Sequence, residues 1–442
     1  MNDVGILSGQ RVVVMGLGKS GRSAARLALR EGAEVIAVDL NVNADPVPGA
    51  RMELGPHKVE TFTSANVIVV SPGIAAATPE IVAAQQAGVD VVGELGFALR
   101  FIHAPVIAIT GTNGKSTVTH FTGTLMAATG KRVFTGGNLG TPLSDAAFGS
   151  SPEVLVLEVS SYQLELPGEL APVAAVILNL TPDHLGRHGT MDGYAAAKAK
   201  VFARMGDGGW AFLPAGDERL LAASKGVGRA HRAWLGAHPG VLRQGRTAHV
   251  LLGHHQATFD LSGVAVQGAH NLDHAATAAA LCFAAGASPV AIQAALPTLS
   301  ALPHRVQPVI ERDGVLWIND SKATNVASTS VAVAGIDRPC VVLLGGLSKE
   351  NDPFEPLAND LKRHRAVIGF GASGPAIAAD LARFGVDVIV VPTMREACAR
   401  AAQLARPGDA VLLSPAGASF DEFKNFEHRG DVFAAVARGE VL

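Results

Sequence analysis

The sequence predicts an α/β protein built from three doubly wound, Rossmann-like domains. Short apolar strands alternate with helical stretches along nearly all of the 442 residues. Most of these strands end in glycine-rich or polar segments, which is typical of parallel sheets that bind ligands at their carboxyl edge. The length fits two to four domains at roughly 100–200 residues each, and we expect the domains to span residues 1–96, 97–302 and 303–442.

Composition narrows the class of protein. Hydrophobic residues make up 48% and charged residues 17% of the chain, which fits a globular protein and not a disordered one. A net charge of −3 gives no reason to expect nucleic-acid binding. Cys282, Cys340 and Cys398 are too far apart in sequence to indicate a disulfide framework or a zinc site. With neither a signal-peptide pattern nor an apolar run of ~18 residues, we expect a cytoplasmic protein that does not enter the membrane. We also expect a monomer.

The first domain opens with a strand, Arg11–Met15, followed by the glycine loop Gly16–Gly21 and a second strand that ends at Asp39. Gly-x-Gly-x-x-Gly with an acid about twenty residues later is a dinucleotide-binding pattern. The same loop could hold any diphosphate, Asp39 could bind a ribose or a base edge, and the glycines could serve the turn alone. A third strand runs into Ser71-Pro72-Gly73. The domain is half of a full dinucleotide fold, which argues against NAD.

The central domain begins at Gly111-Thr112-Asn113-Gly114-Lys115-Ser116-Thr117, between an apolar strand and a helical stretch, 118–128. Backbone N–H groups and the helix N-terminus favour phosphates there, Lys115 adds a positive charge, and Ser116 or Thr117 can ligate Mg²⁺. The spacing is shorter than the usual Walker loop, and a plain glycine turn is the alternative interpretation. We expect a P-loop-type ATPase domain.

Polar residues follow the neighbouring strands of this domain. Glu158 and the Asp183-His184 pair each come after a buried strand, which suits metal or phosphate chemistry. Glu158 could instead be a surface residue. Asn138, in a second glycine-rich turn, could bind a sugar or phosphate, and the His270-Asn271 pair either faces a ligand or caps a helix. Nothing in the sequence pattern distinguishes Lys198 from a solvated helix lysine.

The last domain repeats the pattern. Residues 302–307, including Arg305, look like a linker. The strand at 314–318 ends in Asn319-Asp320-Ser321-Lys322-Ala323-Thr324, and the strand at 410–413 leads to a polar segment that contains Ser419 and Phe426. These strand ends predict a second anion-binding edge.

Together these motifs resemble those of the Mur ligase family, over essentially the whole chain. The resemblance is carried by residues 111–117, Glu-Val-Ser-Ser from 158, residues 179–184, His-Asn at 270, Pro-His-Arg from 303, residues 319–325 and Ser-Pro-Ala from 414. The closing segment 419–430 and the short first domain are most similar to the branch that adds D-glutamate. The Asp-Asn-Pro-Arg motif of the diaminopimelate-adding branch is absent. Position 274 is His, where many relatives are expected to carry Asn.

The resemblance implies an ATP-dependent ligase that adds D-glutamate to UDP-N-acetylmuramoyl-L-alanine through an acyl phosphate, in cytoplasmic peptidoglycan precursor synthesis. It implies ATP and two Mg²⁺ ions. The catalytic residues would be Lys115, Glu158, His184 and Lys198, the last carbamylated by CO₂. The metal ligands would be Ser116, Thr117, Glu158, His184 and carbamylated Lys198.

The resemblance also implies three sets of binding residues, brought together by domain closure. Those for ATP are Gly111, Thr112, Asn113, Gly114, Lys115, Ser116, Thr117, Asn271, Arg305, Asp320 and Lys322. Those for the UDP-linked substrate are Gly18, Lys19, Ser20, Gly21, Asp39, Ser71, Pro72, Gly73, Asn138 and Ser160. Those for D-glutamate are Thr324, Lys349, Ser419 and Phe426.

Three other functions remain open on the sequence. One is another amide ligase of the same superfamily, either a different Mur step or a folylpolyglutamate synthase-like enzyme. The second is an NAD-dependent dehydrogenase, which would use residues 16–21 and Asp39 but leaves Lys115 unexplained. The third is an ATP-binding module without enzymatic activity, which does not account for the acids, His184 and Lys322 at strand ends.

Overall fold

A computed structural model describes residues 5–138, 140–266, 268–347 and 353–440. The described residues form three mostly parallel sheets with helices between their strands. The chain divides into two compact units, one of Met1–Gly263 with His274–Thr298 and one of Val264–Asp273 with Leu299–Leu442. The first two sheets belong to the first unit and the third sheet to the second.

The first sheet is wholly parallel, in the order β3-β2-β1-β4-β5. Its strands are β1 (Arg11–Met15), β2 (Glu34–Asp39), β3 (Arg51–Leu54), β4 (Val67–Val70) and β5 (Asp90–Gly93). Its helices are α1 (Lys19–Arg30), α2 (Val59–Thr63), α3 (Pro79–Gln86) and α4 (Glu94–Ala98). Because strand order reverses at β1, the loops that follow β1 and β4 lie side by side, where such sheets bind ligands.

The glycine loop after β1 needs its glycines for steric reasons. Gly16 has φ +87°, a left-handed conformation that favours glycine. A Cβ built on Gly21 would lie 1.8 Å from the carbonyl oxygen of Gly16. The loop therefore allows α1 to begin directly against the end of β1.

The second sheet runs in the order β14-β13-β12-β11-β10-β9-β6-β8-β7, with antiparallel pairing only at its β12-β13-β14 end. Its strands are β6 (Val106–Thr110), β7 (Val133–Gly137), β8 (Val154–Glu158), β9 (Ala174–Ile177), β10 (Trp210–Pro214), β11 (His231–Leu235), β12 (Gly240–Gln244), β13 (Thr247–Leu252) and β14 (His255–Asp260). Its helices are α5 (Lys115–Ala127), α6 (Leu185–His188), α7 (Met191–Ala199), α8 (Glu218–Ser224), α9 (Ala269–Ala284) and α10 (Pro289–Ala295). Short 3-10 turns lie at Leu143–Phe148, Gln163–Glu165, Lys200–Phe202 and Leu296–Thr298. The phosphate loop thus leaves the sheet between the ends of β8 and β9.

The third sheet has the order β15-β16-β20-β17-β18-β19 and is parallel except for β15 against β16. Its strands are β15 (Gln307–Arg312), β16 (Val315–Asn319), β17 (Cys340–Gly345), β18 (Ala366–Phe370), β19 (Val388–Val390) and β20 (Ala410–Ala416). Its helices are α11 (Val326–Ala334), α12 (Glu355–Leu361), α13 (Gly374–Ala382), α14 (Met394–Leu404) and α15 (Phe426–Arg438). Apolar clusters cover both of its faces.

The main differences from the sequence prediction are two additional elements and the placement of the predicted linker. β3 and α15 are present without having been predicted, since β3 is short and partly polar and α15 begins within a segment that we interpreted only as a binding loop. The predicted linker 302–307 is held to the third sheet, because His304 Nδ1 lies 3.0 Å from Asn319 Nδ2. Within the described residues, no helix combines the length and apolar character needed to cross a membrane.

Candidate phosphate and metal site

The phosphate loop has its glycines at strained positions. Gly111 has φ +148° and Gly114, the residue before α5, has φ +82°. A Cβ on Gly111 would lie 3.0 Å from Leu178 Cβ, and one on Gly114 would lie 2.5 Å from His274 Nε2. Position 274, the departure from the expected Asn, is therefore in contact with the loop.

Asn179, at the end of the neighbouring strand β9, holds part of the loop. Its Oδ1 accepts hydrogen bonds from the N–H groups of Thr112 (3.1 Å) and Asn113 (2.8 Å), and its Nδ2 donates to Asn113 O (3.0 Å). These two N–H groups are directed to Asn179, so the N-terminal turn of α5 is the part of the loop that suits phosphates. This role of Asn179 was not predicted from its place in the motif at residues 179–184.

Two lysines converge on one backbone carbonyl. Lys115 Nζ donates to Gly111 O (3.0 Å) and to Thr112 O (2.8 Å), and Lys198 Nζ donates to the same Gly111 O (2.8 Å). Lys198 is 1% exposed, with Nζ 4.4 Å from the centroid of the Tyr194 ring. Burial and the charge of Lys115 hold the pKa of Lys198 well below its usual range, against the opposing charge of Asp183. A lowered pKa favours the neutral form of the Lys198 amine, which is the nucleophilic form.

Glu158 is the buried carboxylate of the site. It is 3% exposed, and its Oε1 accepts a hydrogen bond from Asn138 Nδ2 at 2.6 Å. Its Oε2 is buried with no hydrogen-bond partner among the described residues. A buried oxygen without a partner costs about 1–3 kcal/mol, and a cation would satisfy it. The residues at this position therefore fit a Mg²⁺ ion.

Few other potential metal ligands lie near Glu158 in the described part of the chain. Among the described residues, no group of three or more His, Cys, Asp or Glu side chains is arranged to hold a metal by itself. Mg²⁺ usually takes one or two carboxylates together with substrate phosphates and water, so a single buried acid beside a phosphate loop is consistent with it.

His184 lies on an exposed turn before α6. Its backbone is left-handed, with φ +56°, and its side chain is 42% exposed. Its Nδ1 lies 3.1 Å from the hydroxyl of Tyr162, and the two ring centroids are 5.0 Å apart. The contact with Tyr162 orients the imidazole at the edge of the sheet that also holds Glu158.

The predicted substrate residues of the first sheet lie around its switch point. Asp39 accepts hydrogen bonds from the N–H groups of Leu17 (2.6 Å) and Asn41 (2.8 Å), and Ser71 Oγ donates to Gly16 O (2.6 Å). Asp39 and Ser71 therefore hold the glycine loop in shape. Lys19 Nζ donates to Gly140 O, which places the glycine loop beside the turn that carries Asn138. Gly18, Pro72 and Gly73 lie in the same two loops, whereas Ser20 lies in the first turn of α1. The N–H and Oγ of Ser160, after β8, donate to Gln163 Oε1.

The second unit groups several of the remaining residues. Asp320 is buried and accepts hydrogen bonds from Ser414 Oγ (2.7 Å) and the N–H of Val306 (3.1 Å), and burial raises its pKa to about 7. Lys322 Nζ lies 4.8 Å from the Phe426 ring centroid. Phe426 is the first residue of α15, where helix N–H groups favour an anion.

Arg429 is a residue that sequence reasoning missed. It is fully buried, and burial lowers its pKa to about 10. It donates to Ser321 Oγ (2.9 Å), Ser321 O (2.7 Å) and Gly417 O (3.0 Å), joining the loops that follow β16 and β20. The only signal in the sequence was its place in the closing segment. The remaining predicted residues of this unit are the buried Asn271 and Ser419 and the half-buried Arg305 and Thr324, whereas Lys349 lies outside the described residues.

Comparison with known proteins identifies the class. The chain matches the models of the Mur ligase MurD-like N-terminal domain over residues 10–93, the Mur ligase middle domain over 109–282 and the Mur ligase glutamate ligase domain over 304–417. The chain belongs to the Mur ligase family, as its motifs predict. The matched ranges fall within the predicted domains, whose boundaries remain predictions.

Individual relatives are more specific. The chain is 42% identical over 453 residues to the UDP-N-acetylmuramoylalanine–D-glutamate ligase of Myxococcus xanthus, covering 97% of this chain and 98% of that protein. It is 41% identical over 460 residues to the enzyme of the same name from Anaeromyxobacter dehalogenans, covering 98% of each. The crystal structure of MurF ligase from Thermotoga maritima in complex with ADP is similar in fold, with TM-score 0.63, 19% identity and coverage of 98% and 96%. The predicted three-domain α/β fold is thereby confirmed.

Proposed function

We propose that this chain joins D-glutamate to UDP-N-acetylmuramoyl-L-alanine at the expense of ATP, in the peptidoglycan precursor synthesis that supports cell-wall growth, shape and division. The observation that carries the proposal is the full-length similarity to enzymes that bear this name, at 42% and 41% identity. Since the reaction draws on ATP and a nucleotide-linked substrate, it belongs in the cytoplasm.

The reaction requires an activated acyl group, because amide formation from a carboxylate is unfavourable in water. The substrate carboxylate attacks the γ-phosphorus of ATP and releases ADP, leaving an acyl phosphate. The amine of D-glutamate then attacks the acyl carbon, and inorganic phosphate leaves. The protein has to offset phosphate charge and keep water away from the acyl phosphate.

The phosphate loop supplies the charge. Lys115 and the N-terminal turn of α5 would bind the β- and γ-phosphates. Ser116, Thr117 and Glu158 would hold one Mg²⁺ ion, and His184 with carbamylated Lys198 would hold a second. When bound, Mg²⁺ offsets the charge that builds up on the transferring phosphoryl group. The buried Oε2 of Glu158 supports this assignment.

Lys198 would serve as a carbamate. Its neutral amine attacks CO₂, forming an N–C bond and releasing one proton, and the product is a carboxylate-like anion. Burial and the charge of Lys115 favour the neutral amine that this reaction needs. The resulting anion would also offset the charge of Lys115 at the shared carbonyl.

The ligand assignments follow the loops. The glycine loop after β1, the turn after β4, Asn138 and Ser160 would bind the UDP-linked substrate. The second unit would contribute Asn271, Arg305, Asp320 and Lys322 to ATP. Thr324, Lys349, Ser419 and the backbone at Phe426 would bind the two carboxylates of D-glutamate, since a cation with hydroxyl and N–H donors suits a dicarboxylate.

Phosphate release with UDP-N-acetylmuramoyl-L-alanine and D-glutamate, L-glutamate, L-alanine or diaminopimelate in turn tests the proposal. Release should depend on D-glutamate. Equal or greater release with another amino acid would assign the chain to a different ligation step. Calorimetry with NAD should show no binding, and measurable binding would revive the dehydrogenase interpretation.

A further inference from the structure

Arg187 lies three residues after His184 and forms a two-pronged ion pair with Glu165. Its Nε donates to Glu165 Oε1 (2.7 Å) and its Nη2 to Glu165 Oε2 (2.8 Å). Both side chains are 17% exposed. A bidentate, largely buried arginine–carboxylate pair fixes orientation far better than a surface pair. The pair therefore fixes the position of α6 relative to the 3-10 turn that carries Glu165.

The same pair also holds the substrate turn of the first sheet. Arg187 Nη2 donates to Ile74 O (2.7 Å) and its Nη1 to Gly73 O (3.3 Å). Glu165 Oε2 accepts a hydrogen bond from the N–H of Ala76 (3.3 Å). The turn after β4 is thus bonded to both members of the pair.

A third contact leads to the imidazole of His184. The Arg187 guanidinium lies 4.8 Å from the centroid of the Tyr162 ring, whose hydroxyl lies 3.1 Å from His184 Nδ1. A histidine whose one ring nitrogen is hydrogen-bonded has a fixed ring orientation, which determines where the other nitrogen points. Arg187 therefore contacts the turn after β4 and the Tyr162 ring, which in turn contacts His184.

We propose that Arg187 is a positioning residue that sets the distance between the Ser71–Gly73 turn and the imidazole of His184. The inference rests on the proposed function, in which that turn binds the UDP-linked substrate and His184 serves the acyl-transfer step. Loss of the bidentate Arg187–Glu165 pair would let the substrate carboxylate move relative to the phosphate loop. A displacement of 1 Å can cost on the order of 10²-fold in rate. Among the described residues, Arg187 donates its side-chain hydrogen bonds to Glu165, Gly73 and Ile74 and not to the phosphate loop.

Steady-state kinetics of Arg187→Ala, Arg187→Lys and Glu165→Gln test the proposal. The matched control is Arg204→Ala, which removes an arginine from the exposed pair with Glu169. We expect Arg187→Ala to raise the KM for the UDP-linked substrate about tenfold and to lower kcat on the order of 10²-fold. The KM for ATP should stay unchanged. Arg187→Lys keeps the positive charge but not the bidentate geometry, so it should recover part of the lost activity. Arg204→Ala should match the wild type.

A merely structural Arg187 would lower the fraction of active protein and leave every KM unchanged, which would overturn the proposal. Wild-type KM and kcat in Glu165→Gln, which keeps the size of the partner, would overturn it even if Arg187→Ala failed to fold. Failure of the proposed function looks different, because the wild-type chain itself would then release no phosphate with D-glutamate.

Discussion

At the carbonyl of Gly111, two lysine amines meet within hydrogen-bond distance, and one of them is buried. If Lys198 acts as a carbamate, activity should fall in CO₂-depleted buffer and return with bicarbonate. Lys198→Ala should lose at least about 10²-fold in kcat, since removing a group that stabilises transition-state charge costs this much. Lys200→Ala, two residues away and exposed, is the control. Full activity of Lys198→Ala would rule out the role.

Asn179 offers a second test at the level of one side chain. Asn179→Ala removes three hydrogen bonds from the loop backbone, and each buried group left without a partner costs about 1–3 kcal/mol. We expect the KM for ATP to rise tenfold or more. The comparison variant is Asn66→Ala, whose Oδ1 accepts a backbone N–H in the first sheet away from the loop. An unchanged KM for ATP in Asn179→Ala would show that the loop keeps its shape unaided.

Sequence reasoning identified some of these residues and missed others for a physical reason. Lys115 is visible in sequence because its role depends on local spacing between a strand and a helix. The lowered pKa of Lys198 arises from burial and from the charge of Lys115, and its Nζ donates to a carbonyl 87 positions earlier in the chain. Arg187 and Arg429 are likewise defined by partners distant in sequence, so only the folded structure shows what they hold.

The junction between β5 and α4 contains a buried acid that predicts a pH effect on stability. Glu94 is 1% exposed and accepts hydrogen bonds from the N–H and Oγ of Ser144, both at 2.7 Å. Burial raises its pKa from 4.5 to about 7, although the Ser144 bonds oppose this. Between these values the folded state binds more protons than the unfolded state, so this group makes stability fall as pH rises through the window.

Glu94→Gln should remove that fall, since glutamine does not ionise. Urea unfolding at pH 5 and pH 8 should therefore show the variant gaining stability relative to the wild type at the higher pH. Glu153→Gln, at an exposed strand end, is the control and should leave the pH dependence as it is. Parallel pH profiles for the wild type and Glu94→Gln would contradict a raised pKa at this position.

Elements were predictable where apolar runs are long and end in glycine or polar residues, as at β1, β6 and β16. β3 was not, because four partly exposed residues with two charges carry little periodic signal. α15 was not predicted because its N-terminal residues were interpreted only as a binding loop. Asn425 caps this helix, and its Oδ1 accepts a hydrogen bond from the N–H of His428 at 2.7 Å.

Across the whole chain, the three-sheet architecture was predictable because the strand–loop–helix unit repeats with polar residues at each strand end. The first two sheets reverse their strand order beside loops that carry predicted residues, at β1 and β6, and in the third sheet β20 lies between β16 and β17. The burial of Glu158 was less predictable, since its Oε2, which has no hydrogen-bond partner among the described residues, depends on packing that no spacing rule reports.

The most direct test of the central claim, that the phosphate loop presents ATP to a carboxylate, follows oxygen atoms through the reaction. UDP-N-acetylmuramoyl-L-alanine with both carboxylate oxygens labelled with ¹⁸O would be incubated with ATP, D-glutamate and the protein. Because the carboxylate attacks the γ-phosphorus and phosphate later leaves, the account predicts one ¹⁸O in each released phosphate and the other in the new amide. Released phosphate without ¹⁸O, at full yield of the amide, would contradict it.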